Sequence, residues 1–299
     1  MPSLLPIASP ATHIARDITY SHSARSRPGR LVIRTVENLT GRIHLIKRAE
    51  GYERAVASGE DFWHVMMQRY GLHLDVSRGS LDDIPQRGPL VVIANHPYGV
   101  LDGLVMGYVL SGLRGDFRIL AHSVFRKAPD IARAILPMDF SETPEAQRDN
   151  IAMRAEATRY LQSGGAIGVF PGGTVSTAAR PFGQPLDPVW RRFTARLIQR
   201  SNATVVPIWF EGQNSRLFQV ASHLNYTLRM ALLLREFKAR TDGPVRLAVG
   251  RPIRADELAD FRGDGKEMMD FLRRKTYELA PGKAGIDRFG FEFEAQHKR

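Results

Sequence analysis

The chain contains no cysteine. Disulfide staples, thiolate nucleophiles and cysteine-held metals are therefore excluded, and a reducing compartment suits the chain without being required. Long hydrophobic runs are missing as well. Crossing a bilayer as a helix takes ~20 consecutive apolar residues, whereas the longest runs, Leu90–Ala94, 166–170 and 230–234, hold 5 residues each. Any membrane contact is expected to be peripheral. Negative charge is scarce too: 31 Asp and Glu stand against 42 Lys and Arg, for a net charge of +11. A field of that sign suits nucleic acid, an anionic membrane surface or an acidic carrier protein, and charge alone does not choose among them. The N-terminal stretch lacks the apolar core and small-residue cleavage site of a signal peptide. Residues 1–28 read as a flexible basic arm.

What is present is ordinary globular material. With 43% hydrophobic and 24% charged residues, a chain of 299 can bury one large α/β core or two small ones. Residues 29–75 carry helical patterns. Leu31, Val36, Leu39, Ile43 and Ile46 recur near helical spacing over 30–57, and Phe62, Trp63, Val65, Met66 and Met67 crowd 60–70. This amphipathic pair reads either as an interfacial lipid-binding device or as two helices packed on the core.

Over residues 76–280 short apolar runs alternate with helical patterns. Strands are predicted at Leu90–Ala94, 117–121, 166–170, Thr204–Phe210 and 245–249, and helices at 101–111, 145–163, 187–200, 215–240 and 256–280. That alternation predicts an α/β fold with a largely parallel central sheet covered by helices on both faces. Residues 281–299 read as a loosely held tail.

Two segments carry chemistry. In the first, a buried strand runs into Asn95-His96-Pro97-Tyr98-Gly99-Val100-Leu101-Asp102-Gly103. Sites in open α/β sheets form beyond the carboxyl ends of strands. Pro97 pushes His96 into an extended conformation, and a turn relieved by Gly99 lets Asp102 fold back toward the imidazole. A carboxylate on one ring nitrogen fixes the tautomer and favours the cation formed when the other nitrogen takes a proton. The alternative is a local histidine with Asp102 acting only as a helix cap. In the second segment, a strand leads into Pro171-Gly172-Gly173-Thr174-Val175-Ser176-Thr177, a glycine turn suited to close backbone approach or to cradling an oxyanion. It lacks the Gly-Lys-Ser/Thr ending of a nucleotide loop.

Together these segments resemble the lysophospholipid and glycerolipid acyltransferase family. The first resembles the family's His…Asp motif in the longer His-Pro-x-Gly-x-x-Asp-Gly form of a bacterial branch often labelled hemolysin-like, which includes enzymes acting on phosphate-free aminolipids. The second is similar to the family's Phe-Pro-Glu-Gly-Thr-Arg-Ser signature: Phe170, Pro171, Gly173, Thr174 and Ser176 match, whereas Gly172 stands for Glu and Val175 for Arg. The resemblance implies a His96 general base oriented by Asp102, and a substrate-binding loop of Phe170, Pro171, Gly172, Gly173, Thr174 and Ser176. It implies an acyl-carrier-protein or coenzyme A thioester as co-substrate, with no metal or redox cofactor. The backbone of 172–174 is a candidate oxyanion stabiliser. Arg126 falls loosely on another substrate-binding block, and Arg180 is a candidate for the charge missing at 175. Asn214 or Ser215 reads as a helix cap and Arg216 as a loop residue, with Asn214 and Arg216 alternatively substrate contacts; His64, His122 and His223 receive no role.

Three readings follow. The first is O-acylation of a lyso-lipid, with the missing Glu and Arg favouring a lyso-aminolipid acceptor over lysophosphatidic acid. The second is N-acylation of an amino acid. The remotest is a non-enzymatic basic membrane-binding protein. The expected setting is cytoplasmic and peripheral on the inner face of the cell membrane, held by anionic lipid, with no nucleic acid partner.

Overall fold

The computed structural model describes residues 19–24, 26–122, 129–138, 143–283 and 285–293. The described chain opens on helices α1 (Arg27–Glu37), α2 (Ile43–Ala49), α3 (Tyr52–Ala57) and α4 (Phe62–Arg69). Next come β1 (His73–Arg78), β2 (Leu90–Ala94), α5 (Val100–Arg114), β3 (Arg118–His122), α6 (Pro129–Ala132), β4 (Ile135–Met138), α7 (Pro144–Gln162) and β5 (Ala166–Val169). A short hairpin of β6 (Thr177–Ala178) and β7 (Pro185–Leu186) precedes α8 (Arg192–Ser201) and β8 (Thr204–Phe210). The helices α9 (Arg216–Leu224) and α10 (Tyr226–Lys238), strand β9 (Pro244–Val249) and helix α11 (Gly265–Tyr277) complete it.

The main sheet has 7 strands in the order β1-β9-β8-β2-β5-β3-β4. Every pairing in it is parallel except β8 with β9, so the expected largely parallel sheet is what forms. β2 sits in the middle, and none of its side chains is exposed. Leu90, Val92 and Ala94 face one core layer with α4 and α5, while Val91 and Ile93 face a second with α7, α8 and α11. Each such Val, Ile or Leu is worth about 1.5–3 kcal/mol of burial, which makes β2 a fixed platform for whatever leaves its end.

The structure departs from the sequence reading at the margins. Both edge strands, β1 and β4, escaped it: β1 is polar and half exposed, and β4 contains Pro137, which only an edge tolerates well. The helix expected over 30–57 is three, interrupted by a wide turn at Asn38–Arg42 and by Gly51 at φ +80°. The helix expected over 215–240 breaks at Asn225, whose extended backbone and side-chain oxygen cap α10. The two N-terminal elements read as a pair also part company. Phe62, Trp63, Val65, Met66 and Met67 of α4 are all buried core, whereas Leu31, Val32, Leu39 and Ile43 stay exposed.

The tail is not loose over 285–293. The N–H of Phe291 donates to the carbonyl of Thr177 at 3.0 Å, that of Gly290 to Asp187 at 2.8 Å, and buried Arg273 holds the Arg288 carbonyl at 2.6 Å. Residues 1–18, Arg126 and 294–299 lie outside the described residues.

Candidate active site

Asn95 closes β2 with a buried side chain that grips the backbone of β8. Its Nδ2 donates to the Phe210 carbonyl at 2.9 Å, and its Oδ1 accepts the Phe210 N–H at 2.7 Å. His96 then emerges, and Gly99 turns the chain at φ +86° into α5. A side chain at 99 would also press on Val175 and Leu233 at 3.2 and 3.4 Å. In the first turn of α5, Asp102 Oδ2 accepts the N–H groups of Tyr98 at 2.8 Å and Gly99 at 3.0 Å, and it stands 3.0 Å from His96 Nδ1. Asp102 thus caps α5, and the same oxygen lies within ion-pair distance of the imidazole, whose Nδ1 makes no hydrogen bond to the described residues in this geometry.

Burial is uneven across this pair. The Asp102 side chain is fully buried, while that of His96 is 18% exposed. Desolvation pushes the Asp102 carboxyl above the usual carboxylate range, against the opposing pull of His96 and the two backbone N–H groups. With Nδ1 turned to the carboxylate, Nε2 is the ring nitrogen left for a substrate proton.

The second loop packs on the first. The Phe170 ring stacks on the His96 imidazole at 4.2 Å between centroids. Gly173 turns the loop at φ +69°, and its N–H donates to the Phe170 carbonyl at 3.0 Å. Of the backbone donors expected to cradle an oxyanion, Gly173 is therefore engaged in the turn. The N–H groups of Gly172 and Thr174 have no protein acceptor among the described residues. The Ser176 N–H donates to the His96 carbonyl at 2.8 Å.

The sequence reading missed Asp187, which completes this clamp. Its Oδ1 accepts the His96 N–H at 3.2 Å and a short bond from Ser176 Oγ, and its Oδ2 accepts Trp190 Nε1 at 2.9 Å. Its own N–H donates to Tyr277 Oη at 2.8 Å. The His96 backbone is thus held through both its N–H and its carbonyl. Burial raises the Asp187 carboxyl above its ordinary value, with Ser176, Trp190 and the His96 N–H pulling it back. The available signal was Pro188: the residue before a proline is biased out of the α region, so the helix predicted from 187 begins only at Arg192.

Other expected residues divide. Gly172 is buried beside Asp187, 3.4 Å from where a Cβ would sit, and the Pro171 carbonyl accepts the Arg191 N–H at 2.9 Å. Thr174 Oγ1 accepts a bond from Arg229 at 3.2 Å. Arg180 is exposed within the β6–β7 connection, where its carbonyl accepts the Gly183 N–H at 2.9 Å. Arg216 binds the Phe182 carbonyl at 2.9 Å, an internal loop bond, and of the two cap candidates it is Ser215 that caps α9. Among the described residues, no three His, Asp or Glu side chains gather as a metal site requires.

The acyltransferase family profile matches residues 34–285. The lyso-glycine lipid O-acyltransferase of Phocaeicola vulgatus is 27% identical over 203 residues, 65% of this chain and 69% of that one. The protein of the same description in Bacteroides thetaiotaomicron is 26% identical over 65% of this chain and 71% of its own. The solved 1-acyl-sn-glycerophosphate acyltransferase PlsC of Thermotoga maritima shares 18% identity over 87% of this chain and 85% of its own, with a TM-score of 0.44.

Proposed function

Because the chain belongs to the acyltransferase family, we propose that it transfers a fatty acyl group from a thioester to the hydroxyl of a lyso-lipid, with His96 as the general base. The observation that carries this reading is the 3.0 Å approach of buried Asp102 to Nδ1 of a partly exposed imidazole. Nε2 takes the proton from the acceptor hydroxyl as its oxygen attacks the thioester carbonyl carbon. The imidazolium so formed is stabilised by Asp102. Collapse of the tetrahedral intermediate breaks the carbon–sulfur bond, and the departing thiolate takes the proton back from His96. Gly172 and Thr174 N–H groups are the donors available for the oxyanion. The chemistry calls for no metal or redox group.

The acceptor is a lyso-aminolipid of the glycine-lipid kind. The names of both relatives support this, as does the absence of charge at positions 172 and 175 of the second loop. The donor is an acyl-carrier-protein or coenzyme A thioester; the net charge of +11 favours an acidic carrier. The setting is cytoplasmic, peripheral on the anionic inner face of the cell membrane.

Thioester consumption by the full chain tests the reading, with wild type beside His96→Ala and product identified by mass spectrometry. The acceptor panel holds a lyso-glycine lipid, neutral lysophospholipids, lysophosphatidic acid and free amino acids. Wild type is expected to form the ester of the lyso-glycine lipid, and His96→Ala to lose roughly 10²–10⁴-fold in rate. Equal rates for the two proteins would remove His96 from the chemistry, and amide formation on free amino acids would replace O-acylation by N-acylation.

A further inference from the structure

Arg229 lies in the first turn of α10, buried to 1% exposure. Its placement is unfavourable for a cation, and no anion among the described residues offsets it. A positive charge near a helix N-terminus opposes the helix dipole, and a buried charge ordinarily has a counter-ion. Here all four hydrogen bonds go to neutral oxygens: Nη1 to Thr177 Oγ1 at 2.6 Å and Ser222 Oγ at 2.9 Å, Nη2 to the Val175 carbonyl at 2.9 Å and Thr174 Oγ1 at 3.2 Å. The guanidinium lies over the rings of Phe218 and Phe293 at 4.9 and 4.1 Å. No carboxylate pairs with it among the described residues, and burial pushes its pKa down to about 9.

Its bonds span the second loop on both sides of Ser176. Thr174, Val175 and Thr177 are fixed by one rigid fork, and Ser176 between them donates its N–H to the His96 carbonyl and its hydroxyl to Asp187. Val175 occupies the position where the second signature carries arginine, so the loop has no guanidinium of its own and receives one from α10. We infer that Arg229 is a positioning residue for acyl transfer, which sets Ser176 and through it the backbone of His96. A lysine in its place delivers a charge without the fork that reaches hydroxyls and a carbonyl together.

The inference rests on the acyl-transfer reading, so wild type and His96→Ala are run first to establish that reading independently. Arg229→Lys and Arg229→Ala are then compared for kcat and KM toward the lyso-glycine lipid and a neutral lysophospholipid. A loop displaced by ~1 Å costs about 10²-fold, so kcat is expected to fall about 100-fold in Arg229→Ala and about 10-fold in Arg229→Lys, with KM within about 2-fold. Guanidinium chloride at about 50 mM, too little to unfold most domains, is expected to enter the cavity of Arg229→Ala and restore kcat at least about 5-fold. Should Arg229→Ala fail to fold, the kcat and KM of Arg229→Lys decide alone. Two outcomes overturn the inference. Undiminished kcat in a less stable protein makes Arg229 a packing residue, and a rise in KM confined to the lyso-glycine lipid makes it a direct contact with the head group.

Discussion

Asp102 answers to two demands whose effects on stability are opposed. As the acceptor of the Tyr98 and Gly99 N–H groups it secures the start of α5, but as a buried carboxylate it is desolvated. Folding raises its pKa, so the folded protein holds this proton to higher pH than the unfolded chain does. The group's stabilising contribution is complete below the unfolded carboxylate value of ~3.9 and is lost as pH rises through the folded pKa. Ionising this carboxyl in the folded protein is therefore a cost in stability that the proposed mechanism accepts. Asp102→Asn keeps an oxygen for both caps and removes the charge. It is expected to melt at or above the wild-type temperature at pH 7 while losing roughly 10²–10⁴-fold in kcat. Thermal melts and initial rates on the same preparation check this, and a lower melting temperature would mean that the His96 contact outweighs desolvation.

The same residue scale accounts for what could be read in the sequence of the site. His96 and Asp102 stand on one strand-turn-helix segment, so local geometry alone brings them together. Asp187 reaches His96 across 91 residues and Arg229 reaches Val175 across 54. Nothing in local spacing reports such a contact. Each is also a type that sequence reasoning assigns to the surface, an aspartate ahead of a helix and an arginine within one. Only the packing of β7, α10 and the C-terminal strap turns them inward.

Among the elements, central strands were legible because burial on both faces leaves an unbroken apolar run, as in β2. The edge strands were not: β1 is polar and half exposed, so its apolar signal dilutes, and Pro137 interrupts the short run of β4. Helix breaks were hidden for another reason: helical spacing of apolar residues continues through Gly51 and Asn225, so only the turn chemistry marks them. The wide turn at Asn38–Arg42 meets a tight tertiary contact. A side chain at Gly41 would lie 2.5 Å from the Leu234 carbonyl of α10, so glycine alone lets the two helices approach. Gly41→Ala must displace backbone and is expected to destabilise the contact by about 1–3 kcal/mol. Hydrogen exchange would detect it as faster exchange in α1 with the central strands unchanged; uniform protection in α1 would show that the helices yield without strain.

At the scale of the whole molecule, the charge excess and the exposed apolar residues coincide. Leu31, Val32, Leu39 and Ile43 are exposed beside the exposed Arg27, Arg30 and Arg34, and Leu224, Tyr226 and Leu228 are exposed at the junction of α9 and α10. Gly29 approaches Thr227, so the start of α1 adjoins that junction. Beneath this face, Ile33, Phe218 and Leu233 pack with Val175, so the surface and the second loop share one small core. A lipid acceptor resting in a bilayer would meet the protein next to the residues that flank His96. No helix among the described residues is long and apolar enough to cross a membrane. Each arginine near an anionic surface contributes about 1 kcal/mol, and buried apolar area adds a salt-independent part. Flotation with phosphatidylglycerol vesicles is thus expected to succeed at low salt and weaken at high salt. Leu31→Asp with Leu39→Asp should reduce it at either salt concentration while leaving the activity on a detergent-dispersed acceptor intact. If that variant floats like wild type, the apolar face is not what meets the lipid, and the basic arm or another surface carries the binding.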